Sequence, residues 1–280
     1  MLAAVALFSV MDAGLKQLAG HYPPFQVAAL RGAASLPFVL VWAASTSGLR
    51  PLLRVRWRLH LLRGVFGVAM MASFVYSLRT LPLSTAYSLF FIAPLLVTAM
   101  SVPILGERVG PRRWTAIAVG LIGVLVLLRP TGEGLGTLAS IAVLLAATMY
   151  AVSAITVRVL ARTDSTQAMV VWLMTLIAVG AGLLAWPDWV PIRASDGWLI
   201  AGIGLAGALG QYTITEAFRR GEASMIAPLE YTALIWGVLL DAMFWGVLPD
   251  AVTWIGAAII VASGLYLLRR ERVHLEAEHP

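Results

Sequence analysis

Residues 81–130 read LPLSTAYSLFFIAPLLVTAMSVPILGERVGPRRWTAIAVGLIGVLVLLRP, and they hold two long apolar segments separated by a short polar hinge. The first segment, about residues 84–105, is long enough to cross a bilayer as a helix. Pro94 lies in its middle, and Tyr87 and Phe91 are four residues apart, on one helical face. A spanning helix with a polar and aromatic face needs a partner helix or a water-filled cavity on that side. The stretch therefore predicts one helix of a membrane bundle.

The composition of the whole chain agrees with this prediction. Of the 280 residues, 60% are hydrophobic and 12% are charged, whereas soluble domains are about half apolar and about a quarter charged. The excess forms repeated apolar runs of about 20 residues, which is the membrane signature. The net charge of +6 could suggest a nucleic-acid partner, but the arginines lie in loops between apolar runs, where membrane topology explains them. We therefore expect a lipid bilayer as partner and no nucleic acid.

The apolar runs predict ten spanning helices, and thus an all-α integral membrane protein. Their approximate spans are residues 2–20, 25–44, 60–78, 83–105, 112–129, 135–158, 166–186, 197–217, 224–246 and 251–268. If the N-terminus is cytoplasmic, the loops on that side, counted with Arg63, hold fifteen arginines and the opposite loops hold three. This positive-inside bias predicts that both termini are cytoplasmic.

The two halves of the chain resemble each other when one is shifted by 140 residues. That register gives 13 identities across about 66 positions, including Gly64 with Gly204, Gly106 with Gly246, and Trp114 with Trp254. Five helices in each half is an odd number, so the second half enters the membrane from the opposite side. We therefore predict two inverted five-helix repeats, residues 1–134 and residues 135–280 with a short cytoplasmic tail. Inverted repeats commonly build alternating-access transporters with a site between the halves.

Ionisable residues within the predicted helices need an explanation, because each costs about 2.5–3.5 kcal/mol at mid-membrane on the insertion scale. Asp12 and Lys16 are four residues apart, which fits either an intrahelical pair or a cavity wall that meets a zwitterion. Arg31, early in the second helix, fits an anchoring or pairing role. Glu230 and Asp241 share a face of the ninth helix, and either one lines a cavity or pairs within the bundle. We predict Asp12 and Glu230 as substrate-binding residues.

Aromatic residues complete the predicted site. Rings suit an apolar or aromatic side chain of a substrate, while nearby hydroxyls suit an amino or carboxyl group. The alternative for any one ring is packing against lipid or at the interface. The residues predicted to bind substrate with Asp12 and Glu230 are Tyr76, Tyr87, Phe91, Tyr150, Tyr212 and Tyr231.

Glycines and prolines predict where helices bend or approach each other. We predict a gating or hinge role for Pro94, Pro228, Gly106 and Glu107, since a proline frees a carbonyl one turn back. The glycine-rich run at residues 202–210 lies in an apolar span with no strand before it, which favours close helix packing over a phosphate loop.

The sequence resembles the EamA-type branch of the drug/metabolite transporter superfamily along its whole length. The residues that carry the resemblance are Arg31-Gly32, Leu83-Ser84-Thr85-Ala86, Phe91-Ile92-Ala93-Pro94-Leu95, Gly106-Glu107-Arg108 and Trp114. The resemblance implies a ten-helix carrier for small metabolites in a bacterial inner membrane. We expect it to act as a monomer, with a dimer as the alternative. The family often repeats the Gly-Glu hinge after the ninth helix, whereas here Val247 follows Gly246, so the hinge glutamate occurs in one copy.

Within this family the sequence is similar to the aromatic amino acid exporters, so export of amino acids with aromatic or apolar side chains is the function expected first. The alternative is uptake of a nucleotide-like or vitamin-like compound such as S-adenosylmethionine, riboflavin or a purine. An enzyme is not expected, because no His/Asp/Glu cluster has catalytic spacing and we find no candidate catalytic residue. No cofactor or metal is expected either, since the chain has no cysteine and its four histidines lack ligand spacing. The sequence also lacks an ATP-binding loop, so ATP hydrolysis by this chain is not expected to drive transport.

Overall fold

The computed structural model describes the chain at residues 1–46, 48–53, 55–106, 110–128, 137–221, 226–259, 261–263 and 266, and these residues form helices and connecting loops without a strand. The helices are α1 Leu2–Ala19, α2 Pro24–Thr46, α3 Trp57–Leu78, α4 Leu83–Phe90, α5 Ile92–Leu105, α6 Pro111–Leu128, α7 Leu138–Leu160, α8 Thr166–Ala185, α9 Gly197–Arg220, α10 Ala233–Leu240 and α11 Ala251–Ser263. Short 3₁₀ turns lie at Arg50–Leu52, Trp186–Asp188, Ala194–Asp196 and Ala227–Thr232.

Within the described residues, seven helical segments are long and apolar enough to cross a membrane. They are Leu2–Ala19, Pro24–Thr46, Trp57–Leu78, Leu83–Leu105, Leu138–Leu160, Thr166–Asp188 and Ala194–Arg220. The chain is thus an all-α, multi-pass membrane protein, as its sequence predicted. The total of ten spanning helices stays a prediction.

The spanning segment Leu83–Leu105 is broken in its middle, between α4 and α5. The break at Phe91 lies three residues before Pro94, and the cause is local chemistry. A proline ring has no N–H to donate to the carbonyl one turn back and clashes with that carbonyl. The carbonyl of Phe90 therefore has no helical donor, and α4 ends there. Gly106 closes α5 in a left-handed conformation with φ 73°, which glycine adopts without strain.

The segment from Ala227 to Trp245 is also discontinuous. A 3₁₀ turn at Ala227–Thr232 leads into α10, and a π-helical turn follows at Asp241–Trp245. Gly246 ends it with φ 64°, in the same left-handed conformation as Gly106. The sequence predicted a spanning helix over residues 224–246 with an interruption at Pro228, and Pro228 does lie in the 3₁₀ turn that precedes α10. The π-helical turn was not predicted. π-Helical turns of this kind are rare and often lie at functional sites.

Small residues bring the helices close together. α2 packs along α8 and α9, α3 along α7, and α1 along α9. A Cβ atom added to Gly32 on α2 would lie 2.7 Å from the backbone nitrogen of Ala178 on α8. One added to Gly204 on α9 would collide with the backbone carbonyl of Ala34 on α2. The close packing predicted for the glycine-rich run at residues 202–210 is thus confirmed at Gly204, while Gly202 faces open space.

Candidate functional site

A cavity of about 150 Å³ lies inside the bundle, among α1, α2, α3, α4, α7, α8, α9 and the turn before α10. Its wall combines four ionisable residues, Asp12, Arg31, Arg63 and Glu230, with aromatic rings and small polar side chains. All four are at least nine-tenths buried. Ionisable groups at such depth are costly, and groups that a membrane protein keeps there often mark a functional site, so this cavity is the candidate substrate site.

Each carboxylate of the cavity accepts a hydrogen bond from a tyrosine. Tyr87 Oη on α4 donates to Asp12 Oδ2 on α1 at 2.8 Å. Tyr150 Oη on α7 donates to Glu230 Oε1 at 2.6 Å. Both tyrosines and both carboxylates had been predicted from sequence as site residues, and the structure places all four on one cavity.

Aromatic rings form a continuous wall between these two bonds. Phe74 stacks on Tyr87 with centroids 6.3 Å apart and planes 6° apart, and it meets Phe90 edge to face at 5.7 Å. Phe90 in turn lies 5.4 Å from the ring of Tyr150. Phe91 also lines the cavity, as predicted. The wall can therefore hold a flat ring by stacking while hydroxyl groups remain within reach at both of its ends.

Two arginines complete the wall, and the sequence predicted neither as a site residue. Arg63 was counted with a cytoplasmic loop, but it lies within α3 and is 2% exposed. Its spacing from Gly67, Met70 and Phe74 is that of one helical face, and this was the signal that could have placed it in the cavity. Arg31 was assigned an anchoring or pairing role, yet it lines the same cavity.

The carboxylate of Asp241 gathers several donors one helical turn beyond the cavity. It accepts hydrogen bonds from the backbone N–H groups of Leu83 and Ser84 at 3.0 and 2.7 Å, and from Ser84 Oγ at 2.7 Å. Lys16 Nζ lies 2.9 Å from Asp241 Oδ1 and 4.2 Å from the ring centre of Trp245. Lys16 thus pairs with Asp241 and not with Asp12, and this Asp241 cluster ties α1 and α4 to the π-helical turn that follows α10.

A second cluster lies at the opposite end of the bundle, where α3 begins and α7 ends. His60 Nε2 and Asp164 Oδ2 are 2.9 Å apart, and the N–H of Arg56 also donates to that oxygen. Burial opposes ionisation of Asp164, but hydrogen bonds from Thr163, His60 and Arg56 together hold its pKa below the usual 3.8. We call this group the His60 cluster. It links α3 to the loop between α7 and α8.

Three predicted site residues lie away from the cavity. Tyr76 is 38% exposed on α3 and does not line the cavity. Tyr212 packs against Trp42 with ring centroids 4.7 Å apart. Tyr231 is buried against Phe91 at 5.1 Å, edge to face, behind the cavity wall. A role in substrate binding for these three stays a prediction.

The predicted hinge residues also have defined places, with one exception. Pro94 is buried in α5 next to the helix break, and Gly106 ends α5. Pro228 lies in the 3₁₀ turn before α10. Glu107 falls outside the described residues. Among the described residues, no group of three or more His, Cys, Asp or Glu side chains could hold a metal ion.

Comparison with known proteins gives a match along nearly the whole chain. The model of the family described as "EamA-like transporter family" matches twice, at residues 1–129 and 137–269. A solved crystal structure superposes with a TM-score of 0.71 at 23% identity, covering 96% of this chain and 98% of that one. At that identity the superposition shows a shared fold.

Curated relatives of this chain are named as transporters of different compounds. A riboflavin transporter of Vibrio cholerae is 31% identical over 97% of this chain and 92% of its own length. A pseudopaline exporter of Pseudomonas aeruginosa is 27% identical over 83% of each chain. An S-adenosylmethionine uptake transporter of Rickettsia prowazekii is 26% identical over 97% of this chain and 92% of its own length.

Proposed function

Because this chain belongs to the EamA-like transporter family, we propose that it carries a small metabolite across the membrane through the aromatic cavity by alternating access. The observation that carries the proposal is the wall of the cavity, which holds positive and negative side chains within a ring of aromatic groups. Such a wall suits a substrate that joins a flat ring to a polar group. Passage of a metabolite through this cavity involves no covalent step, so in this proposal the protein acts as a carrier and not as an enzyme.

The carrier is built from ten spanning helices in two inverted repeats, residues 1–134 and 135–280. Two observations support this architecture. The family model matches the chain twice, once in each half. The helix contacts also correspond, because exchanging the halves turns the α3–α7 contact into the α9–α1 contact and leaves the α2–α8 contact unchanged. A site between such repeats is reached from one side at a time when the halves rock against each other.

The Asp241 cluster and the His60 cluster close the two ends in turn. The Asp241 cluster lies one turn beyond Asp12 and Tyr87, so it separates the cavity from that end of the bundle. The cavity residues on α7 and α9 lie in the halves of these helices nearer the His60 cluster. In this proposal the His60 end and both termini lie in the cytoplasm of a bacterium, with the chain in its inner membrane, and the positive-inside bias supports that orientation.

Two substrate classes fit the cavity. Amino acids with aromatic or apolar side chains, moved outward, are the first candidate, and the exporter among the relatives supports that direction. Uptake of a vitamin-like or nucleotide-like compound is the second candidate, and it is favoured by relatives named for riboflavin and S-adenosylmethionine. Each class includes molecules that combine a flat ring with polar atoms.

Counterflow in proteoliposomes tests the proposal and ranks the candidates. Purified full-length protein is reconstituted in vesicles preloaded with unlabelled L-tryptophan, riboflavin or S-adenosylmethionine, and entry of the same labelled compound is followed. We expect saturable counterflow of at least one compound above protein-free vesicles. Phe74→Ala, which removes a ring from the cavity wall, should reduce the rate about tenfold or more.

The matched control is Phe38→Ala, since Phe38 is 39% exposed on α2 and does not line the cavity. Its counterflow rate should equal that of the wild type. The proposal fails if no member of a broad metabolite panel shows saturable counterflow. It also fails if both alanine variants reduce the rate equally, because the cavity would then have no special part in transport.

A further inference from the structure

Arg31 is held firmly in the cavity wall, but its hydrogen bonding is incomplete. Its Nε donates to Met11 Sδ at 3.1 Å, and its guanidinium carbon lies 5.9 Å from the ring centre of Phe8. The residue is 2% exposed. Its Nη1 atom is buried and has no hydrogen-bond partner in the part of the chain that the structure describes. A buried donor of this kind costs about 1–3 kcal/mol unless something accepts its hydrogen bond.

The other arginine of the cavity donates hydrogen bonds to protein groups. Arg63 Nε donates to Ser153 Oγ at 3.2 Å, and its Nη1 donates to the carbonyl of Met169 at 2.8 Å. Both acceptors are neutral groups on α7 and α8. Arg63 thus links α3 to α7 and α8, whereas Arg31 is the cavity arginine with a buried donor that has no partner among the described residues.

Asp12 supplies the opposite charge beside Arg31. The two side chains line the same cavity and interact electrostatically. No salt bridge joins them among the ion pairs of the described residues. Tyr87 Oη occupies one oxygen of Asp12, at 2.8 Å. A cation and an anion therefore face one space without neutralising each other by direct contact.

Gly207 on α9 leaves the room that this arrangement needs. A Cβ atom there would lie 3.1 Å from both Met11 Sδ and Ser35 Oγ, and 3.7 Å from Arg31 Nε. A contact of 3.1 Å is tighter than ordinary van der Waals contact, so a side chain at this position would displace the sulfur that orients the guanidinium. The glycine keeps Arg31 in its present position against α1.

We propose that Arg31 and Asp12 form a subsite for a zwitterionic head group, so that the transported metabolite carries the carboxylate and ammonium of an amino acid. The carboxylate accepts from Arg31 Nη1, and the ammonium donates to Asp12. This rests on the proposed function and narrows it. A planar guanidinium suits a carboxylate because its donors lie in one plane. The aromatic wall then receives the rest of the molecule. Riboflavin, which has no such head group, does not fit the subsite.

Head-group analogues test the subsite on the unaltered protein. Binding of L-tryptophan, tryptamine and indole-3-propionate to the detergent-purified full chain is measured by scintillation proximity with labelled L-tryptophan as tracer. The three share one ring and differ in the charged groups. We expect L-tryptophan to bind at least about tenfold more tightly than either analogue. Equal affinity for all three analogues would overturn the proposal, and so would the absence of binding of both L-tryptophan and S-adenosylmethionine, which carry the same head group.

Two variants then assign each charge to its partner. Arg31→Gln should weaken L-tryptophan binding about tenfold or more and leave tryptamine unchanged, because tryptamine lacks the carboxylate. Asp12→Asn should weaken L-tryptophan and leave indole-3-propionate unchanged. The control is Arg58→Gln, since Arg58 is exposed at the start of α3. If Arg31→Gln does not fold, the three analogues on the wild-type protein decide the matter.

Two outcomes distinguish the head-group subsite from the carrier function. Counterflow of riboflavin, without binding or counterflow of L-tryptophan or S-adenosylmethionine, keeps the carrier and overturns the zwitterion subsite. Binding of L-tryptophan that depends on Arg31 without counterflow of any compound supports the subsite and overturns the carrier.

Discussion

At the residue scale, the two carboxylate–tyrosine bonds of the cavity are related by an exchange of roles. In the first half, the carboxylate Asp12 lies on α1 and its donor Tyr87 on α4. In the second half, the donor Tyr150 lies on α7 and the carboxylate Glu230 in the turn before α10. The pairs join corresponding helices of the proposed repeats, with donor and acceptor reversed. The two halves of the cavity are therefore built from corresponding helices, but the carboxylate and the tyrosine lie on exchanged positions.

The Tyr150–Glu230 bond gives the first prediction. Tyr150→Phe removes the donor and leaves a buried carboxylate oxygen unpaired, which costs about 1–3 kcal/mol. We expect a lower melting temperature in detergent and slower counterflow. Tyr22→Phe, which removes the hydroxyl that donates to Asp196 outside the cavity, should affect stability and spare the substrate affinity. Wild-type stability and counterflow in Tyr150→Phe would contradict the prediction.

Asp164 gives a pH-dependent prediction. Its pKa is lower in the folded protein than the usual 3.8, because the hydrogen bonds from Thr163, His60 and Arg56 outweigh the effect of burial. The carboxylate therefore stabilises the fold fully above its unfolded pKa, and this contribution is lost as the pH falls through the lower, folded value. Asp164→Asn should melt at a lower temperature at pH 7 and should lose less stability than the wild type below about pH 4. Parallel melting curves of both proteins against pH would contradict this.

At the element scale, glycines decide how closely α2, α8 and α9 approach. The neighbour of Gly32 is the backbone of α8, which cannot move aside as a side chain can. Gly202 lies on α9 and would meet nothing within 4 Å. The two glycines therefore differ in what they do for the bundle, although both lie inside apolar helices.

This contrast predicts opposite effects of one substitution. Gly32→Ala should destabilise the protein by about 1–3 kcal/mol, because the added methyl group forces α2 and α8 apart. Gly202→Ala should be neutral or stabilising by up to about 1 kcal/mol, because alanine favours the helix and meets no neighbour. Melting temperatures of the two purified variants decide, and a lower value for Gly202→Ala than for Gly32→Ala would refute the packing argument.

The Asp241 cluster gives a prediction about how α4 begins. The carboxylate accepts from the first N–H groups of α4, which have no partner inside their own helix. Asp241→Asn keeps the shape but removes the charge, so we expect a loss of about 1–2 kcal/mol in stability. Asp188→Asn is the control, since Asp188 is exposed after α8. Equal melting temperatures for the wild type and Asp241→Asn would show that the cluster does not hold this end.

At the scale of the whole molecule, the proposed orientation can be tested residue by residue, because the chain contains no cysteine. Leu49→Cys lies between α2 and α3, and Ser195→Cys lies before α9, both at exposed positions. A membrane-impermeant maleimide should label Ser195→Cys in intact cells and Leu49→Cys only after permeabilisation. The reverse pattern would place both termini outside the cytoplasm.

The sequence predicted the fold class, and five of the eight residues that it assigned to substrate binding line the cavity. Apolar runs are a strong signal, since a bilayer demands them wherever a helix crosses, and polar faces such as that of Tyr87 and Phe91 lead to the cavity. Residues on one helix can be assigned to a face by spacing, but the position of that face relative to other helices depends on packing. This is why Tyr76 was expected in the cavity and lies on the surface.

Two features of the structure could not be predicted from the sequence for the same reason. The partner of Lys16 is Asp241, 225 residues away in the chain, whereas the four-residue spacing favours Asp12 as its partner. The π-helical turn at Asp241–Trp245 has no residue pattern that distinguishes it from an α-helix. Both depend on where α1 and α10 meet, and that is set by the whole bundle.

The Asp241 cluster also has a consequence for the speed of transport. In the proposed alternating-access cycle, opening of this end would require one carboxylate to exchange two amides, a hydroxyl and an ammonium for water. Each ~1.4 kcal/mol by which these bonds hold the closed state lengthens its lifetime about tenfold when they break before the barrier is crossed. The strength of this single cluster is therefore expected to set the rate at which this end opens. If that opening limits the cycle, the turnover rate should rise steeply with temperature.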